Sequence, residues 1–319
     1  MKQKSAIICV ISLLLTVCTF NVHGQGDTAI VIEYLGNQRV EFGINGHFTE
    51  EVAYHALGKH GEYFFTTPGD WTEEFMQQLI AVSEDAIKFA KDWLGYDGGE
   101  LIRVFYGNVE VNPPTNPDSI MQTMFGIGMA SHGEFFITAP KEDMPVIIVH
   151  EAVHAILRLQ GRKSNFPTDN LQWLEEGLCN VIDYLFFLET EHIYDTRRYG
   201  TSRENMEAFL HVRAWQREAL RLRVEPDCPL QRLHSHDTAA SFVFYLLEHK
   251  GTKDDFMRFF DDVTLAEEIY GMTMIDMIAE WLEYIEQYRR RGLGTRNIPA
   301  ARNDAARDAA TDITTLISE

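Results

Sequence analysis

The stretch Pro145-Val146-Ile147-Ile148-Val149-His150-Glu151-Ala152-Val153-His154-Ala155-Ile156-Leu157-Arg158-Leu159 decides how this chain is read. Apolar residues cover most sides of a helix here, Pro145 suits its first turn, and Gly161 closes it. Set into that run are His150, Glu151 and His154. Histidines four positions apart lie one turn apart on one face, so both imidazoles can reach a single cation. Glu151 lies beside that face, where a carboxylate can take a proton from metal-bound water. Two histidines and a glutamate are costly to bury in such a helix without partners. By itself the pattern is weakly specific. Its plain alternative is a pair of core histidines, each bonded to a carbonyl.

A catalytic zinc site commonly has three protein ligands and leaves a fourth position for water. One route to the third ligand is closed, because Leu157 and Gln160 stand where a metzincin needs glycine and histidine. A glutamate on the following helix is the remaining solution, and Trp173-Leu174-Glu175-Glu176-Gly177-Leu178 supplies two. Asp169 or Asn170 can cap that helix, and the loop from Gly161 to Asn170 is long enough to turn the chain back.

These two strings resemble the gluzincin metallopeptidases, and within them the peptidase-MA-like proteins. The resemblance covers about residues 70 to 285 and is carried by the two strings. It implies that the third ligand is Glu176 rather than Glu175, 22 positions after His154. It also implies that Asn180 supports a ligand histidine, with Asp183 on the same face as a second such residue. Ala240 to Leu246, Gly251, Ile269-Tyr270-Gly271 and Glu280-Trp281-Leu282 are similar to the family's cleft-closing helices. There His236 stands ahead of Phe242 where the family has a tyrosine, which implies a donor to the oxyanion. An edge strand at Gly126 to His132 or Glu134 to Thr138 would then take the substrate backbone by strand addition. Gly128-Met129-Ala130 lacks the glutamate that aminopeptidases place there, so aminopeptidase activity has no support.

Outward from the motif, the chain divides in character. Thr28 to Phe65 reads as strands, with Gly36-Asn37 between Ala29–Leu35 and Arg39–Phe42 as a hairpin-like signal. A helix with apolar spacing follows from Asp70 to Gly95, then a strand at Leu101–Tyr106 and a strand pair between Gly126 and Ala139. Beyond residue 160 the pattern is helical: Gln172–Leu188, Arg203–Arg223, Thr238–His249, Lys253–Val263 and Met272–Arg291. The expected fold class is therefore α+β. The resemblance implies a thermolysin-like zincin core, with a mixed sheet and the zinc helix in the N-terminal half and an all-helical C-terminal half.

At the start, Lys2 and Lys4 precede an apolar run from Ala6 to Phe20, with small or neutral residues before Gln25. That is the grammar of a secretory leader. Lipoprotein processing at Cys18 is the weaker rival because Val17 is bulky. The expected organisation is a signal peptide at 1–24, an α/β half at 25–160, a helical half at 161–292 and a mobile tail at 293–319. Export implies a secreted or periplasmic protein in which Cys179 and Cys228 could pair, or stay as two buried thiols. Lys+Arg number 28 against 48 Asp+Glu, a net charge of −20, which repels phosphate and speaks against nucleic acid. No later run is apolar for long enough to span a membrane.

The expected function is zinc-dependent hydrolysis of peptide or protein substrates. One Zn²⁺ per chain would be held by His150, His154 and Glu176, with Glu151 as general base. Two alternatives stand beside it: a non-catalytic zinc-containing binding protein, and a zinc hydrolase of a non-peptide substrate.

Overall fold

The first half of the chain builds one sheet, in strands rich in the β-branched and aromatic residues that suit a pleated, half-buried surface. The computed structural model describes residues 20–22, 30–42, 48–108, 127–139, 144–162, 172–190, 207–215 and 236–290. Strands β1 (Phe20–Val22), β2 (Ile30–Phe42), β3 (Phe48–Leu57) and β4 (Gly61–Thr66) pair antiparallel in sequence order. Helix α1 (Glu73–Leu94) then leads to β5 (Ile102–Asn108), which lies parallel to β4. Parallel neighbours need a long crossover, and α1 supplies it. β6 (Ile127–Ser131) and β7 (Glu134–Ala139) form a hairpin turned at Gly133, whose φ is +77°. The sheet order is β1-β2-β3-β4-β5-β7-β6, with β7 parallel to β5.

One reading of the sequence changes here. Gly36 and Asn37 do not reverse the chain. Both have positive φ, but they sit in a bulge between Tyr34 and Gln38 inside a single 13-residue strand. The extra residues kink β2 while both of its arms stay paired to β3, so the reversal falls after Phe42 instead. Of the segment expected to be cleaved before Gln25, Phe20–Val22 is paired with Ile30–Ile32, so such a cut would take β1 out of the sheet. The rest of that segment, Cys228, His234 and the tail from residue 293 lie outside the described residues.

Strand alternation sorts the sheet's two faces. Tyr63, Phe65, Ile102, Val104, Tyr106, Phe135 and Ile137 join the main core beneath the helices. Phe64 and Phe105 point to the other face, where they stack on each other beside Val52. The Arg103 guanidinium covers that small apolar patch, 5.2 Å from the Phe64 ring centre and 5.1 Å from that of Phe105. It is held there by Glu134 at 2.8 Å. On the helix side, Glu84 of α1 accepts from the backbone N–H groups of Lys59, His60 and Gly61 and from the Tyr63 hydroxyl. One carboxylate thus pins the β3–β4 turn to α1. Thr72, rather than Asp70, caps α1, accepting from the Phe75 N–H, and Gly95 ends it in the left-handed conformation.

Helix α2 (Met144–Leu159) lies across β6 and β7, between α1 and helix α3 (Gln172–Glu189). A fourth helix, α4, covers residues 207–215. Helix α5 (His236–Tyr245) packs along α3 and continues into a π-helical turn, Leu246–Lys250. Helices α6 (Lys253–Asp261), α7 (Ala266–Tyr270) and α8 (Met274–Arg290) complete the described chain. Among the described residues no helix is long and apolar enough to cross a membrane. The α3–α5 contact is unusually close at Gly177, where a Cβ would stand 2.7 Å from the carbonyl carbon and oxygen of Ala239. Only a residue without a side chain permits that approach, and it sets α5 directly against the residue that precedes Gly177.

Candidate metal centre

His150 and His154 stand on one face of α2, as an i, i+4 pair must. Their rings lie 4.9 Å apart at 70°, and their Nε2 atoms are 3.2 Å apart. Glu176 of α3 brings Oε2 to 3.1 Å from the His150 Nε2 and 3.4 Å from the His154 Nε2. Three donor atoms therefore form a triangle with edges of 3.1 to 3.4 Å. Zinc bonds of about 2.0–2.1 Å in tetrahedral geometry require ligand-to-ligand edges of about 3.3 Å. The donor set, two imidazoles and a carboxylate, is also one that zinc accepts.

The remaining ring nitrogens fix the tautomers. His150 Nδ1 lies 3.2 Å from the Asn180 side-chain oxygen, and His154 Nδ1 lies 2.5 Å from Glu175 Oε1. Both partners are acceptors, so each Nδ1 carries the hydrogen and each Nε2 keeps its lone pair for the centre. All of these partners come from α3, in two adjacent rows: Glu176 with Asn180, and Glu175 with Cys179. Burial works against charge on Glu176, but the two imidazoles that face it outweigh burial and hold the carboxyl well below the usual range.

Cys179 is a rival third ligand. Its sulfur falls with His150 and His154 in a group whose donor atoms lie within 4.8 Å of one another and could hold a metal ion. The thiol is free and fully buried, and burial pushes its pKa up to about 12. Glu176 stands 3.1 and 3.4 Å from the two Nε2 atoms and brings a hard carboxylate oxygen, whereas the Cys179 thiol must lose a proton before it can bind an ion.

Glu151 is 6% exposed, and among the described residues no hydrogen-bond or ion-pair partner is found for it. His236 begins α5 at the rim. Its Nε2 is 3.8 Å from Glu176 Oε2, and its ring lies nearly parallel to that of His150 at 5.9 Å, with the side chain largely exposed. Asp237, its neighbour on α5, is engaged by Arg213 at 3.3 Å. Asp183 is buried one turn beyond Asn180 on α3.

The structure thus gathers His150, His154, Glu176, Asn180 and His236 around one point. It also narrows the expected substrate edge. β7 is an inner strand between β5 and β6, so Glu134–Thr138 offers no free edge, and β6 is the border strand. Sequence reasoning passed over Glu175 and Cys179. The available signal was the helical row one residue over from the expected ligand, since Glu175 and Cys179 are themselves an i, i+4 pair.

The family model for DA1-like, described as Protein DA1, matches residues 138–221, about a quarter of the chain. That span contains all of α2 and α3, and hence His150, His154, Glu175 and Glu176. No curated protein matches the chain. The match overturns the gluzincin, peptidase-MA-like resemblance, and the metalloprotease reading that rested on it goes too. The physical reason lies in what the two strings encode. A His-Glu-x-x-His turn and a glutamate before a glycine say how two packed helices present ligands to an ion. Any family that binds an ion this way needs them, so they identify a centre and not a lineage or a substrate. What stands is the coarser statement that the chain contains a histidine-based group able to hold a metal ion.

Proposed function

We propose that this protein is a zinc-containing binding protein whose ion is held by His150, His154 and Glu176. The observation that carries the reading is the triangle of two Nε2 atoms and one carboxylate oxygen with edges of 3.1 to 3.4 Å. Support comes from the two Nδ1 hydrogen bonds, which leave both Nε2 lone pairs facing the same point. The DA1-like match spans these residues. Metal analysis of the purified chain tests the reading. About one zinc per chain is expected, and His150→Ala or Glu176→Ala is expected to lose most of it. Full occupancy in both variants would defeat the assignment.

A second reading, hydrolysis, is favoured by one specific observation: Glu151 is buried on the turn between the two histidines, and no side-chain partner is found for it among the described residues. Zinc with three protein ligands supplies Lewis acidity and a water made much more acidic than in bulk. The chain's own part would be played by Glu151, whose carboxylate can hold a proton at the centre, and by the His236 ring at the rim. Glu151→Gln keeps the shape and removes the proton acceptor. On this reading a panel of amide, ester and phosphoester substrates includes one that the wild type hydrolyses, chelator blocks, and Glu151→Gln leaves intact while still holding zinc. If the wild type turns over none of them, the protein is a binding protein only.

A further inference from the structure

We infer that Glu175 is a positioning residue that sets the His154 ring for the metal and makes His154 the stronger of the two histidine donors. The inference rests on the zinc reading above and goes beyond its three ligands. His154 must offer Nε2 to the ion, which requires its hydrogen on Nδ1 and a ring that does not rotate. Glu175 Oε1 meets that nitrogen at 2.5 Å, in a place where Glu175 is 4% and His154 5% exposed. His150 has a different support. Its Nδ1 faces the neutral amide oxygen of Asn180 at 3.2 Å. The two ligand histidines are therefore held by one charged and one neutral acceptor, both from α3.

That difference has chemical consequences. A hydrogen bond to an ionised acceptor is shorter and about twice as strong as one between neutral groups. It also pulls the Nδ1 hydrogen toward the carboxylate and leaves Nε2 more electron-rich, so it binds a cation more tightly. Arg158, one turn after His154 on α2, places Nη2 3.7 Å from the same Glu175 oxygen. The order Arg158, Glu175, His154 runs inward from a partly exposed guanidinium, which faces the buried carboxylate, and the carboxylate in turn anchors the imidazole. Glu175 and Glu176 thus do opposite jobs from neighbouring positions. One faces the ion, while the other faces the back of a ligand.

The test measures zinc affinity of the full chain by competition with a chromophoric chelator, together with the visible spectrum of the cobalt-substituted protein. Removing such an outer acceptor typically costs about 10–100-fold in metal affinity. Glu175→Gln keeps an oxygen that can accept from Nδ1 but loses the charge, so a loss of about tenfold is expected. Glu175→Leu loses the acceptor as well, and a loss nearer a hundredfold is expected, with shifted cobalt bands. Asn180→Leu should cost less than Glu175→Leu, because its hydrogen bond is neutral. Asn180→Asp in the Glu175→Gln background should recover part of the affinity by charging the other histidine's support. Should Glu175→Leu fail to fold, the isosteric Glu175→Gln decides. Wild-type affinity in Glu175→Gln with unchanged cobalt bands would overturn the inference, as would a larger loss in Asn180→Leu. If His150→Ala abolishes binding while the Glu175 variants do not alter it, the zinc reading survives and this inference alone falls. If the wild type takes up no zinc, both fall.

Discussion

Replacing Gly177 by alanine sets two well-known effects against each other. In an exposed helix interior the change adds helix propensity, worth about 1 kcal/mol. At Gly177 the new Cβ would meet the carbonyl carbon and oxygen of Ala239 at 2.7 Å and Val243 Cγ2 at 2.9 Å. Val243 can turn away, but the Ala239 contacts are backbone and can be relieved only by moving α5 as a body. Ordinary contact begins near 3.4 Å, so the helices must part by about 0.7 Å, which falls within overpacking costs of about 1–3 kcal/mol. Because rigid backbone puts this site at the upper end of that range, the clash wins. A net destabilisation of about 1–2 kcal/mol is expected after the propensity gain is subtracted. Urea unfolding of the metal-free chain, followed by tryptophan fluorescence, measures it. Zinc affinity should fall at the same time, since Glu176 precedes the moved residue and His236 rides on α5. A Gly177→Ala chain as stable as the wild type, or more so, would show that α3 and α5 do not meet as closely as described.

Two further outcomes concern groups away from the centre. His211 is fully buried, with Nδ1 2.7 Å from the Ser241 hydroxyl, and burial pushes its pKa down from 6.5 to about 3. Between those values the unfolded chain binds a proton that the folded chain refuses, so this contribution to stability is complete above about pH 6.5 and is lost as pH falls toward 3. His211→Gln should flatten that acid slope in pH-dependent unfolding, and an unchanged slope would remove His211 as its source. Arg103→Ala takes the guanidinium from Glu134 and uncovers the Phe64–Phe105 stack, and with a half-exposed arginine the loss should be about 1–3 kcal/mol. Unfolding measured at low and at high salt would show less than half of it screened if the cation–π packing matters, and nearly all of it screened if only the ion pair does.

What could be read from residues alone was whatever depends on short spacing. An i, i+4 pair on a helix faces one way whatever surrounds it, so His150 and His154 were legible as a pair able to reach one ion before any tertiary contact was known. Thr28 to Phe65 was likewise legible as strands from its run of extended-favouring residues. Rotation of one element against another was not legible in this way. Glu175 and Glu176 are neighbours about 100° apart around α3, and which of them faces the ion depends on how α3 is turned against α2. The structure turns it so that Glu176 meets both Nε2 atoms and Glu175 meets the back of His154. Gly36-Asn37 failed as a hairpin for a related reason. Positive φ is permitted in a turn and in a bulge alike, and only the partner strand β3, paired on both sides of the kink, chose the bulge. The family reading failed differently, because strings that describe ligand presentation are set by the ion's coordination chemistry and do not by themselves name a family. Spacing along one helix is settled by covalent geometry. The third donor, the charged support behind His154 and the seat of His236 depend on contacts between helices far apart in sequence, and only packing determines those.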